Sequence, residues 1–143
     1  MPATGVKPGL LLFLTVSLAA LGAGDQPASA LARLASALSQ NDAPAAMAVF
    51  DRSTPGYSDI ESSVVALTRQ TDVLCAIEVV EEKESGQDHI LDTDWYLQLK
   101  SQADGGQTER RRERVSVTLR QSRGQWRIVA LQPQKVFAPI SIR

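Results

Sequence analysis

The chain has 143 residues, 43% of them hydrophobic, and 15 Lys+Arg against 16 Asp+Glu leave a formal net charge of −1. That balance belongs to a globular chain, and it supplies no overall field to gather nucleic acid or an acidic surface. One cysteine excludes a disulfide framework, and one cysteine with one histidine is too few for a zinc cluster, so no metal and no other cofactor is expected.

Lys7 is the only charged side chain before Asp25, and an apolar run of 13 residues extends from Gly9 to Leu21. Spanning a bilayer takes about 20 apolar residues, so the run reads as the hydrophobic region of a secretory signal. Gly22-Ala23-Gly24 suits cleavage, and Ala28-Ser29-Ala30 is a second small-residue candidate. Residues 1–23 are therefore expected to be removed, leaving 24–143 as one exported domain, periplasmic or secreted, without membrane attachment.

The first half of that domain has helical periodicity. Leu31, Leu34, Ala35 and Leu38 repeat at i, i+3, i+4, i+7 and form one apolar stripe that ends near Gln40-Asn41. Asp42 can cap a second helix with Pro44 in its first turn, carrying Ala46, Met47, Val49 and Phe50. After the Ser53-Thr54-Pro55-Gly56 break, Ser58 and Glu61 form a capping-box signature, and Ile60, Val64 and Leu67 supply the buried stripe of a third helix.

The period then changes. Residues 73–82, 91–101, 112–121 and 125–132 are rich in β-branched and alternating apolar residues, and each junction has hairpin chemistry, so an antiparallel four-strand meander is expected. Three helices followed by such a sheet make an α+β domain with the helices on one face. Trp95, Leu97 and Leu99 share one side of the second strand. A three-residue loop, Gly105-Gly106-Gln107, would set Leu97 opposite Val115 and Trp95 opposite Val117, keeping the apolar sets together. In the last strand Trp126, Ile128 and Ala130 alternate with Val129 and Leu131, which leaves both faces apolar and predicts a sheet-mediated homodimer.

Residues 73–104 hold eight acids and two bases, and residues 109–127 hold two acids and seven arginines. An acidic hairpin beside a basic strand gains cross-strand pairs on a solvated face, which accounts for the run Glu109-Arg110-Arg111-Arg112-Glu113-Arg114 without nucleic acid.

With this order of elements, the closing segment Gly124-Gln125-Trp126-Arg127-Ile128-Val129, followed by Pro133 and Val136-Phe137, resembles the nuclear transport factor 2-like, or SnoaL-like, superfamily. Asp94-Trp95-Tyr96-Leu97 and the arginine run are similar to exported bacterial members. The resemblance implies a cone in which the sheet wraps the long helix and leaves a pocket at one end. It does not imply one chemistry, because the fold hosts isomerases, cyclases, dehydratases, binders and association modules. Many members carry an Asp-Pro pair before the third helix; here that region reads Thr54-Pro55-Gly56-Tyr57-Ser58-Asp59.

Asp59 suits the positive end of a helix better than it suits a catalytic base. Glu78 shares a face with Leu74, Ala76 and Val80 and would enter the cavity only if that face turned toward the helices. Cys75 alternates with Val73 and Ile77 as a buried thiol, and His89 sits beside a turn. Tyr57, Glu78, Trp95 and Trp126 are the candidate ligand-binding residues, and no catalytic set is assigned. The expected function is an exported non-catalytic domain that binds a small apolar ligand or serves as an accessory; the alternatives are a SnoaL-like isomerase, lyase or cyclase, and a self-association module. Intact mass of exported material is expected to show the loss of about 22 to 30 N-terminal residues; a full-length mass in that fraction would refute the signal.

Overall fold

The computed structural model describes residues 26–140, and the apolar run read as an export signal lies outside them. Helix α1 (Pro27–Ser39) starts on a proline, whose missing amide would have no partner in a first turn, and it buries Ala30, Leu31, Leu34, Ala37 and Leu38. Past its end, Asn41 takes a left-handed φ of 56°. Its amide nitrogen donates to the carbonyl oxygens of Thr68 and Thr71 at 2.7 and 2.6 Å, and its side-chain oxygen accepts from the Val73 amide at 3.1 Å. One side chain thereby ties the end of α1 to the junction of the third helix and the first strand.

Asp42 caps α2 (Ala43–Met47), its Oδ1 accepting from the Ala45 amide at 3.1 Å, with Pro44 in the first turn. Val49 and Phe50 fall outside this five-residue helix. They run beside the last strand instead: the Ile128 amide donates to the Val49 carbonyl at 2.9 Å, and the Asp51 amide donates to the Ile128 carbonyl at 2.8 Å. Helix α3 (Tyr57–Gln70) starts ahead of the position that a capping box at Ser58 predicts. Its N-cap is Gly56 at φ 77°, and a Cβ there would stand 2.6 Å from Gln134 Oε1. The close approach of Gln134, which donates to the Pro55 carbonyl at 2.9 Å, sets this start, and Ser58 falls inside the first turn. Ile60, Val64 and Leu67 form the buried stripe as expected.

Strands β1 (Thr71–Ser85), β2 (Asp88–Ser101), β3 (Thr108–Ser122) and β4 (Gln125–Gln132) form an antiparallel meander in the order β1-β2-β3-β4, followed by a 3₁₀ turn (Gln134–Phe137). Register shifts at Val79/Glu81 and Thr118/Leu119 bend the sheet around the helices without closing it. The second shift changes the reading of β4. Ala130 pairs with Thr118 and Ile128 with Leu119, so Val129 is an extra residue, and Trp126, Ile128 and Leu131 all turn inward, at 8%, 0% and 1% exposure. The two apolar faces inferred from alternation are one face interrupted by a bulge.

The β2–β3 register also differs from expectation. Leu97 lies opposite Arg111 and Trp95 opposite Glu113, with Thr93 and Leu91 opposite Val115 and Val117. The connection is longer than three residues because Gln102 is held elsewhere: its amide donates to the Gln70 carbonyl at 2.9 Å and its Nε2 to the Thr71 carbonyl at 3.1 Å. The Ser101 amide then closes the loop on the Gln107 carbonyl at 2.9 Å. Because the expected and observed registers differ by an even number of residues, the same faces still meet. Arg111 is turned inward, where its Nη1 donates to the carbonyls of Val136 and Ala138 at 2.9 and 2.7 Å and fastens the C-terminal turn over the sheet. The neighbouring arginines face out, Arg114 to Asp92 at 3.3 Å and Arg112 to Asp94 at 3.7 Å, and Arg120 meets Asp88 at 2.7 Å.

Asn41→Ala should lower stability by about 2–4 kcal/mol, since it removes three hydrogen bonds and keeps a Cβ at positive φ. Asn41→Gly should recover about 1 kcal/mol of that loss, as read from urea unfolding midpoints. Equal stability of the two variants would show that the backbone conformation contributes nothing.

Candidate functional site

The four candidate residues do not converge. Trp95 is fully buried, its indole donating to Thr93 Oγ1 at 2.8 Å, and the Thr93 hydroxyl passes the bond on to the Val115 carbonyl at 2.7 Å. Its ring meets Phe137 edge-on at 5.5 Å. Trp126 is nearly buried and lies edge-on to His89 at 4.7 Å, while His89 Nδ1 sits 2.8 Å from Glu82 Oε2. Glu78 is exposed on the convex face opposite Asp94, because Val73 and Cys75 are the residues of β1 that face the helices. Tyr57, half-buried at the start of α3, borders a sizeable cavity.

Cys75 is 7% exposed, and burial pushes its thiol up to about 12. It pairs across the strands with Leu97, whereas His89 lies opposite Glu84 and Leu119, so the two never approach as a nucleophile and its base. Asp59 is exposed in the first turn of α3, where a carboxylate complements the helix dipole. Among the described residues no group of three or more His, Cys, Asp or Glu side chains is placed to hold a metal ion.

The cavity beside Tyr57 measures about 680 Å³, within the usual range for small-molecule sites. It opens where the β3–β4 turn meets α2 and the start of α3. Met47 and Phe50 are its buried apolar residues, Arg123 and Arg127 come from the hairpin, Arg52 from the loop before α3, and Glu61 stands one helical turn beyond Tyr57. Arg127 is held in place: its Nη1 donates to the Ala48 carbonyl at 3.0 Å and its Nη2 to Gln125 Oε1 at 3.3 Å. Asp51 also lines the cavity; its Oδ1 accepts from the Ser53 hydroxyl at 2.6 Å and the Ser53 amide at 2.9 Å. Those two bonds, with smaller contributions from Arg127 and Arg120, hold its carboxyl below the ordinary aspartate value of 3.8. A second depression, about 610 Å³, lies on the convex face beside the Asp92–Arg114 pair.

Sequence reasoning named Tyr57 but assigned no site role to Asp51, Arg52, Arg123 or Arg127. A partial signal was present. Ser122 and Gln125 flank a two-residue turn, which requires positive φ and leaves Arg123 exposed at its tip. No local pattern brings the 48–57 loop up to that tip; the bridge between Phe50 and Ile128 does so.

No family model and no curated protein matches the chain. Solved structures do. A nuclear transport factor 2-like superfamily protein from Salmonella enterica serovar Typhimurium LT2 superposes with a TM-score of 0.57 at 17% identity, over 72% of this chain and 83% of that one. A protein provisionally assigned as an aromatic ring hydroxylase, from Novosphingobium aromaticivorans, gives 0.60 at 12% identity, over 72% and 81%. A provisionally assigned calcium/calmodulin-dependent protein kinase II association domain from Xanthomonas campestris gives 0.55 at 10% identity, over 73% and 81%. At these identities the likeness establishes the fold: three helices on a curved, unclosed antiparallel sheet of the nuclear transport factor 2-like kind.

With its thiol buried and raised to about 12, Cys75 should resist a thiol reagent at neutral pH until the chain unfolds. The measurement is the labelling rate across a urea titration, and fast labelling of the native protein would contradict this account.

Proposed function

We propose that the chain is an exported, non-catalytic binding or accessory domain. The observation that supports this reading is the chemistry of its buried polar groups. Thr54, Thr68, Thr71 and Thr93 are the buried polar side chains of the described residues, and each hydroxyl donates to a backbone carbonyl, those of Ile128, Val64, Leu67 and Val115 respectively. General acid–base catalysis requires a titratable group within hydrogen-bond reach of the substrate, usually oriented by a second group. The space over Trp95, where an isomerase or lyase of this fold type would need its carboxylate, is occupied by Phe137 and aliphatic side chains. Binding is therefore assigned to the cavity at the β3–β4 turn, whose apolar floor accords with a ligand of partly apolar character.

Self-association is a second reading, favoured by the convex face. Leu74 is 52% exposed on β1, and Tyr96, diagonal to it across the strands, lies under the Arg112 guanidinium, 5.9 Å from the ring centroid. Two copies stacked through a two-fold axis would set the acids of β1 and β2 against the outward arginines of β3. The association surface is then the convex face around Leu74, rather than β4.

Protein isolated from its host should show the mass of a dimer by light scattering at tens of micromolar, and Leu74→Glu should return it to a monomer. Native mass spectrometry of the same material tests for a retained small molecule, and solution NMR with small carbonyl compounds tests for turnover. Turnover would overturn the non-catalytic reading; a monomer at that concentration would remove the self-association reading.

A further inference from the structure

We propose that the cavity at the β3–β4 turn is a site for a small organic monoanion, a carboxylate with an apolar body, a proposal that rests on the binding reading above. The lining supplies the charge balance. Arg52, Arg123 and Arg127 face Asp51 and Glu61, a surplus of one positive charge, over the apolar Met47 and Phe50. One surplus charge matches one carboxylate, and Glu61 in the same lining disfavours a second acidic group. A guanidinium fork suits a carboxylate geometrically.

Arg123 is the second observation. Among the described residues two non-glycine residues have positive φ, Asn41 at 56° and Arg123 at 54°. The strain at Asn41 is offset by its three hydrogen bonds. Arg123 has no comparable compensation: among the described residues its side chain makes neither a hydrogen bond nor an ion pair, and it stands at the mouth of the cavity. Turns of this type favour Asn, Asp or Gly at that position. An arginine there is locally unfavourable, and what it adds is a guanidinium projected from a hairpin tip beside the anchored Arg127.

Calorimetric titration with benzoate, benzamide and benzamidine, matched in shape and differing in charge, tests this on the chain as isolated. Benzoate should bind saturably and at least about tenfold more tightly than the other two, less so as salt rises. Arg123→Gln and Arg127→Gln should each weaken benzoate about tenfold, and Arg69→Gln, on an exposed position of α3, should leave it unchanged. Arg123→Gly should raise the melting temperature by relieving positive φ while losing benzoate, a combination that a merely structural arginine would not give. Absence of saturable benzoate binding up to about 10 mM, or binding indifferent to both arginine substitutions, overturns the proposal. Preference for benzamide or benzamidine overturns the ligand class and leaves the binding reading standing. Consumption of benzoate, seen by NMR, does the reverse.

Discussion

The bond from the Trp95 indole to Thr93, continued from Thr93 to the Val115 carbonyl, determines how much room the sheet leaves beneath the helices. An indole buried without a partner would cost about 1–3 kcal/mol. With that partner two residues along the same strand, the largest side chain of the core lies over the sheet centre. Phe137 packs on its edge, and Phe50 packs on Phe137 at 6.1 Å. The three rings run from the sheet, through the C-terminal turn, to the loop between α2 and α3. Open space begins beyond Phe50, and that is where the cavity lies.

The same line of rings explains why Arg111 differs from its neighbours. Phe137 can lie over Trp95 only if the C-terminal turn folds back across β3, which brings the carbonyls of Val136 and Ala138 over the concave face. Donors are needed there, and the strand supplies the one arginine of the run whose parity points inward. Arg110, Arg112 and Arg114 stay outside, two of them facing aspartates of β2. Exposed pairs of that kind contribute only about 0–1 kcal/mol each. Their larger consequence is a polar cover for one convex half, with the exposed apolar residues left on β1.

Element type and strand order were legible in the sequence, because a helical stripe such as Leu31, Leu34 and Leu38 and a strand alternation such as Trp95, Leu97 and Leu99 each record burial on one side. What was not legible depends on contacts distant in the chain. The start of α3 answers to Gln134, and the β2–β3 loop length answers to Gln102 reaching Gln70. Bulges defeat parity most directly. One extra residue at Val129 moves Leu131 to the same side as Ile128, which alternation alone assigns to the opposite one. For the site, Tyr57 was nameable as an aromatic at a helix start, but the arginines were not, since exposed arginines are common and only the folded chain shows which ones meet at a cavity.

The interior and the rim of this fold are open to change on unequal terms. Converting the interior to an acid–base site would mean replacing Trp95 with something smaller, at about 3–5 kcal/mol for a large-to-alanine change. It would also mean burying a carboxylate beside Thr93, whose hydroxyl is already bonded to Trp95 and to the Val115 carbonyl, which costs more again unless a new partner is added. A domain with about 5–15 kcal/mol of total stability does not accommodate both steps easily. The rim carries no such constraint. Arg52 and Arg123 are exposed, and among the described residues their side chains make no hydrogen bond, so their replacement alters the cavity's charge while the ring stack beneath stays intact. The charge around the cavity can therefore change through single substitutions in the 48–57 loop and the β3–β4 turn, without disturbing the rings from Trp95 to Phe50 that lie beneath it.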